Sequence, residues 1–250
     1  MDDIKIVSVS YTNTLPFIYG IKNSGFIKNY SLQLLPPSGC AVALKNNEAN
    51  IGLVPVGALS DFENYFVHTD YCIGAVNYVK TVLLVSNTTI DKIETIYLDS
   101  HSRTSVRLCR VLAKNYWKIN PKWKDFVYDK NNFVLQSNEA AVLIGDKTFE
   151  VFDKYKHVLD LANQWYNFTS LPFVFALWIS AKTIKKEIVN NLNSALSYGI
   201  NSIDDCINTA KNLIITKQRA KQYFENDISY NFDNDKKKGL KLFLNLADEL

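Results

Sequence analysis

The sequence lacks the motifs of the most familiar catalytic sites. It contains no G-x-S-x-G nucleophile turn, no G-x-x-x-x-G-K-[ST] phosphate loop, no H-E-x-x-H zinc helix and no G-x-G-x-x-G dinucleotide fingerprint. The histidines His68, His101 and His157 are scattered, with none of the spacings of a zinc site. We therefore expect no metal.

Cysteine is scarce, and its spacing forms no C-x-x-C pair. Cys40, Cys72, Cys109 and Cys206 lie far apart along the chain. A protein of the cytosol keeps such thiols reduced, so we interpret all four as small buried hydrophobic residues.

A strong excess of either charge is also missing. The net charge is +3, from 28 basic and 25 acidic residues, which argues against nucleic acid or an anionic membrane as a partner. The run Lys236–Lys238 is expected on the solvated face of a helix. Met1–Lys5 has no basic and apolar regions of a secretory signal, and no apolar run is long enough to span a membrane, so we expect a soluble, cytoplasmic protein.

Strand and helix patterns alternate along most of the chain, which is typical of an α/β protein. Ser38 is the expected N-cap of one early helix. Two long apolar stretches, Tyr71–Val85 and Phe173–Ile179, suggest strands that cross between two lobes. The predicted lobes are residues 1–80 with 176–250, and residues 81–175. The helical segment after the second crossing is expected to pack on the first lobe, and a small ligand is expected in a cleft between the lobes. Early strands are predicted at Ile4–Val9, Ser31–Leu35 and Ile51–Val54, and helices of the tail at Ile184–Ile200, Ile203–Ile215, Lys217–Asn226 and Asp235–Leu250.

The most informative stretch runs from Asp99 to Leu112. A buried strand is predicted before it, and apolar residues at helical spacing follow. Between them lie short hydroxyl side chains and one arginine: Ser102, Arg103, Thr104 and Ser105. A helix N-terminus has unpaired N–H groups and favours negative charge, and Arg103 is able to grip a carboxylate with two hydrogen bonds. An ordinary Ser/Thr cap explains these residues equally well.

Three more motifs fall where strands end. Asn13, in Tyr11–Pro16, follows the first strand, where open α/β sheets bind ligands, although a turn-forming asparagine is the simpler interpretation. Gly145 and Asp146 follow another strand, and Asp146 is expected to cap the next helix. Thr169, Leu171 and Pro172 enter the second crossing strand, as part of a pocket wall or of an ordinary loop.

Taken in order, these blocks resemble the chorismate dehydratases of the futalosine route to menaquinone. The resemblance is carried by Tyr11–Pro16, Asp99–Ser105, Leu143–Asp146, Asp160–Trp165 and Thr169–Trp178, with weaker similarity at Pro37–Gly39 and Asn50–Pro55. Two departures stand out. The glycine usual after Thr169 is Ser170 here, and Thr81 stands where the family usually has serine.

The resemblance implies a two-lobe fold like that of a type II periplasmic solute-binding protein, working as a cytosolic enzyme. It also implies a reaction, the dehydration of chorismate to 3-[(1-carboxyvinyl)oxy]benzoate, without metal or organic cofactor. On this basis we expect Ser102–Ser105 to hold one substrate carboxylate and Ser38 the other. Asn13 and Thr81 are expected to act in catalysis by orienting the ring hydroxyl and the enolpyruvyl group. Gly145, Asp146, Thr169, Leu171 and Pro172 are expected to line the substrate site.

Neither Asp146 nor His101 is an obvious general base, so we hypothesise that the substrate's own enolpyruvyl carboxylate removes the proton. Other functions compete with this one. A synthase forming 1,4-dihydroxy-6-naphthoate later in the same pathway is the closest, followed by a non-catalytic solute-binding protein and a ligand-sensing domain. A monomer and a homodimer are both compatible with the sequence.

Overall fold

The polypeptide folds as an α/β protein of two units, each built on its own sheet. The computed structural model describes residues 3–100, 102–129, 132–151 and 154–250. The first unit comprises Met1–Gly74 and Val174–Asp233, and the second comprises Ala75–Phe173 and Asn234–Leu250. The chain therefore passes from one unit to the other three times, where the sequence suggested two crossings.

The sheet of the first unit has the strand order β11-β4-β10-β3-β1-β2. Strand β1 pairs in parallel with β2 and β3, and β10 pairs antiparallel with β3. Every residue of β3 and β10 is buried, which is why both read as continuous apolar runs. The strands are β1 (Ile4–Val9), β2 (Tyr30–Leu35), β3 (Ile51–Pro55), β4 (Phe66–Ala75), β10 (Phe173–Ser180) and β11 (Ser229–Asn231).

Two helices of the first unit approach each other closely through glycine. A Cβ at Gly20 would lie 1.9 Å from the carbonyl oxygen of Ala195, and one at Gly199 would lie 1.9 Å from that of Pro16. Absence of a side chain at both positions lets the two backbones touch. The helices of this unit are α1 (Leu15–Asn23), α2 (Pro37–Lys45), α5 (Lys186–Asn201), α6 (Ile203–Thr209) and α7 (Lys217–Gln222).

The second unit has a five-stranded sheet of order β7-β6-β8-β5-β9. Its core is formed by apolar side chains of β5 and β8, among them Leu83, Val85 and Leu143, with a layer of tyrosine and phenylalanine rings packed on them. The elements are β5 (Val82–Ser86), β6 (Thr95–Asp99), β7 (Lys122–Phe126), β8 (Glu139–Ile144), β9 (His157–Asp160), α3 (Thr104–Leu112), α4 (Leu161–Thr169) and α8 (Asn234–Asp248).

The last helix corrects the expected position of the C-terminal segment. Helix α8 packs on α3 and α4 in the second unit, not on the first lobe. Its Phe243 ring meets Trp165 and Phe173 edge-on, at centroid distances of 6.1 and 4.9 Å. A Cβ at Gly239 would lie 2.2 Å from the carbonyl oxygen of Pro172, so the helix rests directly on that turn.

Two further expectations are wrong. Lys236 is not solvated but 1% exposed, because it lies on the side of α8 that also carries Gly239 and Phe243. The stretch Tyr71–Val85 is not one crossing strand, since β4 ends at Ala75 and β5 begins at Val82 in the other sheet. Lys80 has a positive φ of 60° within the intervening turn.

The interpretation of the cysteines is confirmed. Cys40, Cys72, Cys109 and Cys206 are all buried with free thiols. Burial raises the pKa of the Cys40 and Cys206 thiols to about 12, which disfavours the reactive thiolate. Within the described part of the chain, no helix is both long and apolar enough to cross a membrane.

The glycine contact between α1 and α5 leads to a stability prediction. Replacing Gly199 with alanine forces the helix backbones apart and should lower the free energy of unfolding by roughly 2 kcal/mol. This loss is expected even though alanine is the better helix former by about 1 kcal/mol. Urea unfolding measures it. Asn190→Ala, at an exposed position of α5, is the control and should not destabilise. A Gly199→Ala protein as stable as the wild type would contradict the close approach.

Candidate functional site

The segment between β6 and α3 forms the predicted strand–turn–helix arrangement. β6 ends at Asp99, whose carbonyl oxygen accepts a hydrogen bond from the Ser102 N–H at 2.9 Å. Arg103 precedes the first helical residue, Thr104. Ser102, Thr104 and Ser105 are buried, whereas Arg103 is exposed. Leu108, Val111 and Leu112 anchor the other end of the helix in the core, so the structure fixes where its N-terminus points.

Ser102 supports the first turn of the helix. Its hydroxyl oxygen accepts a hydrogen bond from the Ser105 N–H at 3.1 Å. It thus satisfies one N–H of that turn, as the capping interpretation expected, although the N-cap residue itself is Arg103, which makes no side-chain capping bond. Anion binding by the exposed Arg103 stays a prediction. His101 lies outside the described residues.

Asp99 and Lys147 form a charged pair beside this turn, which the sequence analysis missed. The Asp99 carboxylate is completely buried, and its Oδ2 accepts a hydrogen bond from the Lys147 ammonium. Lys147 Nζ also lies 5.4 Å from the centroid of the Tyr128 ring. The signal that the sequence offered was weak: β6 and β8 are parallel neighbours, so residues that follow both strands meet at one edge of the sheet.

Gly145 and Asp146 follow β8 at that same edge. Gly145 has a φ of +68°, which favours glycine, and its N–H donates to the carbonyl oxygen of Thr81 at 2.9 Å. We expected Asp146 to be a helix cap, and this expectation is wrong. Asp146 is the second residue of the 3-10 turn Gly145–Glu150, whose N-cap residue is Ile144, because that turn begins directly at the glycine.

Asp160 positions Thr81. Its Oδ2 accepts hydrogen bonds from the N–H groups of Val79 and Lys80, at 3.0 and 2.7 Å. Its Oδ1 caps α4, accepting from Ala162 and Asn163 at 2.9 and 3.3 Å. Burial raises the pKa of the Asp160 carboxyl, and the four amide donors act against that rise. Thr81, 1% exposed, follows directly in the chain, so its place is set by a carboxylate on another strand.

Thr169 and its neighbours close α4. The Thr169 hydroxyl donates to the Trp165 carbonyl oxygen at 2.8 Å and accepts from the Leu171 N–H at 3.2 Å. Ser170 has a φ of 56°, a conformation that favours glycine, so the residue that departs from the family pattern sits where backbone strain arises. Pro172 lies under Gly239 of α8. These two hydrogen bonds of Thr169 stabilise its own turn, and the roles of Thr169, Leu171 and Pro172 toward substrate stay predictions.

In the first unit, Asn13 and Ser38 follow neighbouring parallel strands. Asn13 lies in a 3-10 turn between β1 and α1, where its carbonyl oxygen accepts from the buried Tyr230 hydroxyl at 3.0 Å. Its Oδ1 atom is buried and has no hydrogen-bond partner among the described residues. A buried polar atom normally finds a partner, so this oxygen is suited to receive a donor from a ligand.

Ser38 is not an N-cap residue. Helix α2 begins one residue earlier, at Pro37, with Pro36 in the capping position, because proline suits the first helical turn. Ser38 is the second helical residue and is half-buried. It follows β2 as Asn13 follows β1, and Val9 pairs with Leu35 at the ends of these strands.

The structure thus brings most of the candidates together in one set in each unit, while Thr169, Leu171 and Pro172 belong to neither set. The set of the second unit comprises Thr81, Ser102, Arg103, Thr104, Ser105, Gly145 and Asp146, to which the structure adds Asp99 and Lys147. The set of the first unit comprises Asn13 and Ser38. In the described residues, no group of three or more His, Cys, Asp or Glu side chains is arranged to hold a metal ion.

Comparison with known proteins finds a matching family model and several similar structures. A family model described as menaquinone biosynthesis matches residues 4–249. Protein AF1704 from Archaeoglobus fulgidus has a similar structure, with a TM-score of 0.78 at 16% identity, covering 99% of this chain and 97% of that one. The CA3427 gene product of Candida albicans, described as having the generic periplasmic binding protein fold, gives 0.71 at 17% identity, covering 100% and 91%.

A third similar structure is the alkanesulfonate-binding protein of Xanthomonas axonopodis pv. citri, bound to MOPS. Its TM-score is 0.63 at 11% identity, with 100% of this chain and 92% of that one covered. These likenesses confirm the expected fold of the periplasmic-binding-protein type.

The four hydrogen bonds of Asp160 lead to a second stability prediction. Asp160→Asn keeps one acceptor oxygen but turns an amide nitrogen toward two N–H donors. Because two buried donors then lose their partner, we expect a loss of roughly 3 kcal/mol in the free energy of unfolding. Urea unfolding measures it, with Asp125→Asn on the exposed face of β7 as control. Equal stability of the two variants would show that Asp160 does not hold the Val79–Lys80 turn.

Proposed function

The chain belongs to the menaquinone biosynthesis family, and from this premise we propose that it dehydrates chorismate to 3-[(1-carboxyvinyl)oxy]benzoate. The observation that carries the proposal is the turn into α3, where exposed Arg103 stands at a helix N-terminus among three buried hydroxyl residues. This arrangement suits a carboxylate, and chorismate carries two. A cytoplasmic location without a cofactor belongs to the same proposal.

The chemistry requires one group to stabilise negative charge. Dehydration removes the proton at ring C3 and the hydroxyl at C4, and the ring becomes aromatic as water leaves. The electron pair of the broken C3–H bond is delocalised through the ring double bond onto the ring carboxylate. Arg103 and the α3 N-terminus stabilise that carboxylate as its charge grows, which lowers the barrier to proton removal.

The proton acceptor in this proposal is the enolpyruvyl carboxylate of chorismate itself. It takes the C3 proton from the ring and passes it to the departing C4 hydroxyl, so water leaves and the carboxylate is regenerated. Fixing the two parts of one substrate in a reactive geometry is worth roughly 7–11 kcal/mol in favourable cases. Asn13, whose buried Oδ1 has no partner in the described chain, and buried Thr81 supply the orientation.

In this proposal the remaining candidate residues bind chorismate. Ser38 holds the second carboxylate at the start of α2, and Gly145 with Asp146 borders the α3 N-terminus on the neighbouring strand. Thr169, Leu171 and Pro172 contact the ring. Asp146→Asn should retain turnover, because the substrate supplies the base. Loss of turnover in that variant with unchanged chorismate binding would contradict the self-assisted step.

A second candidate is simple binding of a small anion. It is favoured by the likeness to the alkanesulfonate-binding protein, whose ligand MOPS is a sulfonate. The later naphthoate-forming synthase is the other alternative, since the family description names the pathway and not the step.

The test is incubation of the purified protein with chorismate, with and without a chelator, followed by chromatography and mass spectrometry. We expect a product lighter than chorismate by one water, formed equally in both samples. Chorismate binding without turnover would favour the anion-binding alternative. If the protein neither binds nor converts chorismate, the proposal is overturned and the naphthoate-forming reaction is favoured.

A variant of Arg103 links turnover to the site. Arg103→Lys keeps the charge but loses the bidentate hydrogen bonding to a carboxylate, so we expect kcat/KM for chorismate to fall roughly tenfold to hundredfold. Arg107→Lys, one helical turn further along α3, is the matched control and should keep wild-type kinetics. Equal kinetics of the two variants would remove Arg103 from the site.

A further inference from the structure

The pair of Asp99 and Lys147 has no role in the function proposed above. Asp99 is 0% exposed, and its carboxylate is hydrogen-bonded to the Lys147 ammonium. The Lys147 side chain is 23% exposed and packs against the Tyr128 ring, so two neighbours fix its position. A pair built in this way is not an adventitious surface contact, because one partner is withdrawn from water entirely.

The position of Asp99 raises an electrostatic problem. It lies four residues before Arg103, and its carbonyl oxygen accepts a hydrogen bond from the Ser102 N–H, so the carboxylate and the proposed anion site are close neighbours in the chain. A buried negative charge next to such a site repels an anionic ligand, and screening by water is weak inside a protein. Without a compensating cation, Asp99 would oppose the attraction of Arg103 and the helix N-terminus.

We propose that Lys147 is a positioning residue that cancels the charge of Asp99 and so allows the α3 N-terminus to bind an anion. Lys147 acts through Asp99 and does not touch the substrate. The proposal rests on the proposed function only in taking chorismate as the anion. It predicts opposite effects of the two substitutions on chorismate affinity, which a purely structural role would not produce. Removal of the Asp99 charge should strengthen binding, and removal of the Lys147 charge should weaken it.

The experiment compares three variants with the wild type by calorimetric titration of chorismate. Lys147→Met removes the cation that is hydrogen-bonded to Asp99 and should weaken binding roughly tenfold. Asp99→Asn leaves the Lys147 charge in excess and should bind chorismate at least as tightly as the wild type. The double variant, neutral at both positions, should return to within about threefold of the wild-type affinity. Lys92→Met, at an exposed position of the same unit, is the control and should not change the affinity.

The outcomes separate this inference from the proposed function. Weakened binding in both single variants would overturn the compensation, since it indicates that the pair only supports the fold. Failure of the double variant to recover would overturn it as well, even if Lys147→Met alone folds poorly. If the wild type does not bind chorismate, the proposed function fails, and the same four proteins are titrated with inorganic phosphate. Phosphate affinities in the predicted order would uphold the inference, and absence of phosphate binding would overturn it.

Discussion

The second unit depends on one buried carboxylate. Asp160 ends β9 and accepts four backbone N–H groups, two from the turn before β5 and two from the first turn of α4. It thereby fixes where β5 begins, which orientation α4 takes and where Thr81 stands. The Gly145 N–H then donates a hydrogen bond to the Thr81 carbonyl oxygen, so Asp160 also determines the position of the loop after β8. The Asp160 carboxylate thus provides an acceptor for four backbone N–H groups that would otherwise lack a partner inside the protein.

The sequence predicted those parts whose cause is local. β10 is an unbroken apolar run from Phe173 to Ile179, and β1 is apolar at four of its six positions. The turn into α3 combines a strand end, hydroxyl side chains and a helical apolar spacing within a few residues. The expected Tyr71–Val85 strand was wrong for the opposite reason. Its interruption depends on Asp160, 81 residues away from Val79, while the interrupting residues include apolar ones that suit a strand.

The site shows the same division. Arg103 and the serines beside it could be proposed as a site because they lie together in the sequence, whereas the Asp99–Lys147 pair was missed because its two residues are 48 positions apart. The burial of Lys236 was missed because three consecutive lysines suggest solvent, and only the packing of α8 on the Leu171–Pro172 turn decides which of them is enclosed. The apolar face of α8 would suit either unit, so its side chains alone did not reveal which one it completes.

The assignment of α8 to the second unit also bears on biosynthesis. A ribosome makes the chain from its N-terminus, so the first unit waits for residues 174–233 and the second waits for residues 234–250. The Pro172 turn and the rings of Trp165 and Phe173 therefore remain uncovered until the last described helix has been synthesised. Exposed apolar surface of this kind is what chaperones bind and what drives aggregation. The nascent protein thus exposes this apolar surface from the synthesis of Phe173 until that of α8.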